Sequence, residues 1–299
     1  MTTLKVRNLL LCFVFLFACS TSNNDNAGND KHLKYFGFAI TDCGTNYTNQ
    51  VDDFVNLIDM CPEDLGNLEL RVSENTLNNN KVLIHLQGLF INSIADIDSP
   101  SGFRYELIDN YEAFFSEWAS NNQFLSTETV AAFDFADEPA WNQMNMNDLA
   151  IIAARIKQSF SDIPLMVIEA PDVINELEIT NDIDWVGFDR YGTIDPKNDL
   201  EYLQRLDLIK SKRTNTNQKI VLIMESQWLE FYTDAGFDES VLIPMANSYY
   251  ELAKSEEDVI ALISYLLPSQ FDTADQKGFF DLLPEVKIAI RDIGDEIVN

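Results

Sequence analysis

The stretch Phe133-Asp134-Phe135-Ala136-Asp137-Glu138-Pro139 decides the architecture, because an apolar run there closes on an acidic pair and a proline. A continuous apolar run reads as a strand buried on both faces, and such strands belong to parallel sheets covered by helices. Its terminal carboxylates then stand at the edge of a cleft. A second run, Lys219-Ile220-Val221-Leu222-Ile223-Met224-Glu225, ends in the same way. Two strand-terminal glutamates, in a chain of 299 residues with only two histidines, point to carboxylate chemistry.

Working outward, short β-branched or apolar runs recur at 35–40, 68–72, 82–86, 130–135, 165–168, 185–188, 220–224 and 259–265. Segments between them carry apolar residues at helical spacing, such as Leu149, Ile152, Ala153, Ile156 and Phe160, or Val241, Leu242, Met245, Tyr249 and Leu252. Pro284 opens a last helix through Val286, Ile290, Ile293 and Ile297. Eight strand–helix units predict an α/β fold, a single (β/α)8 TIM barrel over 34–299, with a doubly wound open sheet as the alternative. No linker divides this region.

In such a barrel the active site lies at the C-terminal ends of the strands. The polar residues that follow the apolar runs are Asp42, Arg71, Gln87, Asp137, Glu138, Glu169, Asp189, Tyr191, Glu225 and Ser269. Only Arg71 is a cation, so repulsion should raise at least one carboxyl pKa, as a general acid at neutral pH requires. The commonest task of paired carboxylates is the cleavage of a glycosidic bond.

The chain opens with Lys5 and Arg7 ahead of an apolar run from Leu9 to Phe17, which is too short to span a bilayer and reads as a signal peptide over 1–18. Leu16-Phe17-Ala18-Cys19 resembles the lipobox of bacterial lipoproteins, which implies a lipid on Cys19. A polar tether, 19–33, would space the folded part from the envelope. The expected location is therefore outside the cytoplasm, anchored to the cell envelope at the outer membrane. The formal charge of −29 argues against nucleic acid and against any membrane contact beyond the lipid, and it suits a neutral oligo- or polysaccharide. A monomer is expected.

Cys43 and Cys61 would meet an oxidising compartment, where a disulfide is the simplest pairing. The helix placed between them opposes it, since it would carry Cys61 roughly 15 Å away. His32 falls in the tether and His85 in a strand interior as a core histidine. No metal-ligand spacing is present, and neither metal nor cofactor is expected.

These features resemble the (β/α)8 glycoside hydrolases of the cellulase and mannanase clan, family-five-like, over 34–299. That clan carries its acid/base glutamate after the fourth strand in a pattern like F-E-x-x-N-E-P, which Phe133–Pro139 follows with Asp134 for Glu and Asp137 for Asn. The resemblance implies Glu138 as acid/base and Glu225, ending the seventh strand, as the nucleophile of a retaining mechanism on β-linked glycans. It implies Arg71, in Asn67-Leu68-Glu69-Leu70-Arg71-Val72, as the second-strand arginine that keeps Glu225 ionised, and Tyr191, in Asp189-Arg190-Tyr191, as the tyrosine beside the nucleophile. At the third strand His85-Leu86-Gln87-Gly88 replaces D-x-H-G, and Tyr265-Leu266-Leu267 lacks the eighth strand's tryptophan.

Asp137 has a second reading. Adjacent Asp-Glu at a strand end also resembles substrate-assisted hexosaminidases, in which the aspartate orients an acetamido group. Gln87, Asp189, Glu169 and Trp228 complete the candidate substrate contacts; Glu169 can equally be a loop residue, and Trp228, with Trp141 and Tyr232, can equally be loop packing. A glycan-binding surface lipoprotein without turnover is the reading from another class.

Overall fold

The computed structural model describes residues 31–62 and 67–299. The expected signal peptide, Cys19 and the tether as far as residue 30 lie outside the described residues. Among the described residues no helix is long and apolar enough to cross a membrane. Of the expected tether's last positions, Leu33 is buried in the core and the His32 ring meets the Ala253 carbonyl at 3.1 Å.

Eight parallel strands form the frame: β1 (Tyr35–Cys43), β2 (Leu57–Met60), β3 (Lys81–His85), β4 (Val130–Asp137), β5 (Leu165–Glu169), β6 (Trp185–Asp189), β7 (Lys219–Glu225) and β8 (Val259–Tyr265). Each pairs with the next, and β8 pairs back onto β1 from Tyr35↔Ala261 to Phe38↔Ser264, so the sheet closes. This is the expected TIM barrel, and closure excludes the open sheet. Among the described residues seven α-helices interleave or follow: α1 (Leu68–Leu77), α2 (Tyr111–Asn121), α3 (Met146–Ser159), α4 (Leu200–Ser211), α5 (Glu230–Asp234), α6 (Leu242–Ser255) and α7 (Pro284–Val298). An antiparallel hairpin, Ile91–Ala95 with Phe103–Leu107, rises from the loop after β3.

The two-residue period of each strand divides the core into two layers. Val221 and Ile223 point into the barrel with Leu57, Leu83, Met166, Ala261 and Ile263, whereas Ile220, Leu222 and Met224 face the helices. Trp185 and Tyr35, at the starts of their strands, bring their rings within 5.5 Å and help fill the N-terminal end. The interior is thus packed, and only the C-terminal mouth is open to ligand. Gly37 marks a tight contact in the wall: a Cβ there would stand 2.2 Å from the Leu57 carbonyl oxygen.

The second strand corrects the sequence reading. Residues 68–72 form the start of α1, capped by Asn67, whose side chain accepts the Leu70 N–H at 3.2 Å. Leu68, Arg71, Val72 and Asn75 are its buried face, a helical spacing that a five-residue window cannot tell from a strand. The true strand is the four-residue Leu57–Met60, interrupted by Asp59 and therefore easy to overlook.

That shift also reverses the disulfide argument. Cys43 ends β1 and Cys61 directly follows β2, the adjacent strand, so their Cα atoms lie 4.8 Å apart and the sulfurs are bonded. Arg71 locks the same corner: its guanidinium binds the Asp42 carboxylate at 2.9 Å and the Asp42 and Cys61 carbonyls at 2.8 and 3.0 Å. With a sequence separation of 18 residues, chain entropy gives the bridge roughly 3 kcal/mol. Replacing both cysteines by alanine should lower the unfolding free energy by about 2–4 kcal/mol in denaturant titrations, and reductant should reproduce that loss in the unsubstituted protein.

Candidate active site

A cavity of about 540 Å³ occupies the mouth of the barrel. Strand ends supply Asp59 (β2), His85 (β3), Asp134 and Asp137 (β4), Asp189 (β6) and Tyr265 (β8), while Glu138 and Tyr191 follow β4 and β6 directly. Phe271, Asp272 and Gln276 enter from the loop after β8, and Gln227 and Leu229 from the one after β7.

Glu138 sits where the sequence places it. Its φ of +48° lies in the left-handed region, which turns the chain sharply as it leaves β4. The turn is fastened on both sides: the Glu138 N–H donates to the Ile168 carbonyl at 2.7 Å, and its own carbonyl accepts from Asn142. Burial first, then the charges of Asp137 and Glu169, push its carboxyl up to about 8, against a hydrogen bond with Asp189 that pulls it down. Asp189 is raised well above the usual carboxylate range by burial and by Glu138. Each carboxyl therefore raises the other's affinity for a proton.

Asp137, which opens to the cavity, donates its N–H to Gln87 Oε1 at 2.8 Å. Its carboxyl rises to about 6, the surrounding protein acting first, with His85 opposing and Asp59 adding. Gln87 is itself held by the Tyr105 hydroxyl at 3.1 Å, so it fixes Asp137 from behind.

His85 is not the core histidine expected. Its ring lies between Asp59 (2.5 Å) and Asp134 (3.4 Å). Burial favours the neutral ring, but the two carboxylates prevail and lift it to about 10. Three adjacent strands thus carry an Asp59–His85–Asp134 chain beneath Asp137. Sequence reading missed Asp59 because its strand was misplaced, and it missed Phe271 and Asp272 because loops after the eighth strand carry no periodic signal; Tyr265, which ends β8, was quoted there without a role. The Tyr265 ring lies 5.4 Å from that of Tyr191.

Five expected site residues lie outside the cavity wall, Gln87 among them, which reaches the site only through the Asp137 N–H. Arg71, on α1, serves the β1–β2 corner and does not hold Glu225; the resemblance aligned a helix with a strand. Glu169 is fully buried and accepts the N–H groups of Ala140, Trp141 and Ala170 at 2.8, 3.2 and 2.9 Å, tying down the loop after β4. Trp228 stacks on Tyr232 with centroids 5.0 Å apart. Glu225 ends β7 as expected, yet it is fully buried, and Oε2 accepts the Gly192 N–H at 2.6 Å. Burial lifts its carboxyl to about 7, with Tyr232, Gly192 and Gln227 opposing.

The chain shares its fold with solved glycosidases at low sequence identity. A GH113 β-1,4-mannanase superposes with a TM-score of 0.56 and 10% identity, covering 88% of this chain and 98% of that one. Xylanase 10B from Thermotoga maritima gives 0.55 and 12% (90% and 97% covered), and a glucosidase from Croceicoccus marinus 0.56 and 11% (89% and 68% covered). No family model and no curated protein sequence matches the chain.

The raised groups set a pH dependence. A carboxyl whose folded pKa exceeds its unfolded one stabilises fully below the unfolded value, near 4, and loses that contribution as pH rises through the folded value. Asp134, Glu169 and Glu225, each raised to about 7, and His85, raised to about 10, all act in this direction. Melting temperature should therefore fall steadily from pH 5 to pH 9, each retained proton contributing a slope of about 1.4 kcal/mol per pH unit within its window. Asp134→Asn should make that slope shallower in thermal melts across the range.

Proposed function

We propose that the protein is a glycoside hydrolase acting on a β-linked glycan, with Glu138 as the proton donor. One observation carries this: Glu138 and Asp189 face one cavity at the open end of the barrel, where burial and each other's charge raise their affinity for a proton. The fold's occurrence in a β-1,4-mannanase and in xylanases supports the substrate class. Glu138 gives its proton to the glycosidic oxygen as the bond to the anomeric carbon breaks, and positive charge develops on the sugar ring. The ionised carboxylates around the cavity stabilise that charge.

For the group that meets the anomeric carbon, the geometry favours substrate assistance. Asp137 opens into the cavity beside Glu138, whereas Glu225 lies outside its wall with one oxygen bound to Gly192. In this reading Asp137 accepts a hydrogen bond from the acetamido N–H of an N-acetylhexosamine, and the acetamido oxygen bonds to the anomeric carbon as the leaving oxygen departs; water then opens the ring so formed. The second reading, retention through Glu225, is favoured by its place at the end of β7 and needs its carboxylate about 5–5.5 Å from that of Glu138. Lipidation of Cys19 would hold this activity at the cell envelope.

Release of reducing ends from manno-, xylo-, cello- and chito-oligosaccharides tests the reading. Glu138→Gln should reduce hydrolysis by at least about a thousandfold. Loss in Asp137→Asn with activity kept in Glu225→Gln supports substrate assistance, and the opposite pattern supports retention. Binding without release by the unsubstituted protein would make it a glycan-binding protein and overturn the enzymatic reading.

A further inference from the structure

The loop between β8 and α7 separates two depressions. On one side Phe271 and Asp272 line the barrel cavity; on the other, Gln270, Ala274 and Asp275, with Tyr47, line a second depression of about 540 Å³. Gln276 belongs to both walls, so the two hollows adjoin across this loop.

The loop is braced as a fixed element. Gln276 is 2% exposed, and its Oε1 accepts the N–H groups of Phe271 and Asp272 at 3.0 and 2.8 Å. Its Nε2 donates to Asp272 Oδ2 at 2.8 Å and to Gln227 Oε1 at 2.5 Å, linking the loop to the one after β7. The Tyr265 hydroxyl also donates to Asp272 Oδ2, at 2.8 Å. At the neck, Lys277 and Trp228 exchange backbone hydrogen bonds of 2.8 and 3.0 Å, and a Cβ on Gly278 would stand 2.2 Å from the Pro268 carbonyl oxygen.

Within this frame Phe271 is 52% exposed, and unlike the other exposed phenylalanines it lines the cavity. An apolar ring held in place and left in water costs free energy unless something covers it. The apolar face of a pyranose has the size and character to do so, and a ring already fixed by its loop loses little entropy on stacking.

We propose that Phe271 is a sugar-stacking platform outside the reaction centre, and that the glycan chain passes over it from the barrel cavity into the second depression. This deepens the glycosidase reading and rests on it: the substrate is an oligosaccharide or polysaccharide engaged over several units, not a disaccharide. Gln276 is the positioning residue that holds the platform.

The test is the dependence of kcat/KM on chain length, with β-linked oligosaccharides of two to six units from the series that the protein hydrolyses. In the unsubstituted protein kcat/KM should rise with length. Phe271→Ala should lower it roughly tenfold, about 1.4 kcal/mol, on the hexasaccharide, mainly through KM, and by less on the disaccharide. Phe271→Trp should restore it. Ala274→Trp, which fills the second depression from an exposed position, should remove the gain from the last units alone. Equal losses on short and long substrates, or rates independent of length in the unsubstituted protein, overturn the inference while leaving the glycosidase reading intact. Should no glycan be hydrolysed, that reading falls, and calorimetry decides the inference: hexasaccharide binding that is stronger than disaccharide binding and is weakened by Phe271→Ala supports it, and binding unaffected by the substitution overturns it.

Discussion

Closure of the sheet by the pairing of β8 with β1 is the constraint on which everything else rests. A closed parallel barrel packs its interior with the side chains of alternate residues and leaves one end at which all strand termini converge. Carboxyl groups from residues as distant in sequence as Asp59, Asp137 and Asp189 are thereby confined to one cavity. Confinement, more than any single neighbour, raises their proton affinities, and burial is the largest contribution for Asp134, Asp137, Glu138 and Asp189 alike. Loops then divide the labour: the one after β4 aims Glu138, and the one after β8 brings Phe271 and Asp272 to the lip.

Much of this was legible in the sequence. Seven of the eight strands lie where their apolar runs place them, because strands buried on both faces have few alternatives to continuous hydrophobicity. The position of Glu138 follows from that count, since an acidic pair after an apolar run must leave the sheet at the same end as every other strand. The exception, β2, has four residues with a buried aspartate among them, and its neighbour α1 imitates a strand over a short window. One error propagated: it hid Asp59, recruited Arg71 to the wrong role and made the Cys43–Cys61 bridge look too long.

Other residues escaped for a different reason. A sequence gives the end of the strand from which a side chain leaves but not the layer in which it finishes. Glu225 and Glu169 both end strands, and both finish outside the cavity wall, accepting backbone N–H groups of nearby loops. His85 shows the converse: it occupies a strand's last position and turns to the mouth, because Asp59 and Asp134 flank it on adjacent strands. Such placements depend on partners brought together only by the fold.

The imbalance of charge around the cavity also governs what is turned away. Among the residues that line it, six carry carboxyls and His85 carries the lone positive charge, already committed to Asp59 and Asp134. An anionic sugar, whether a uronate or a sulfate ester, would enter without a counter-ion and against like charge in a poorly hydrated space. In the glycosidase proposed above, the same carboxyls that raise the proton affinity of Glu138 would act as a filter, passing uncharged chains and rejecting acidic ones before any contact with the sugar's own hydroxyls is made.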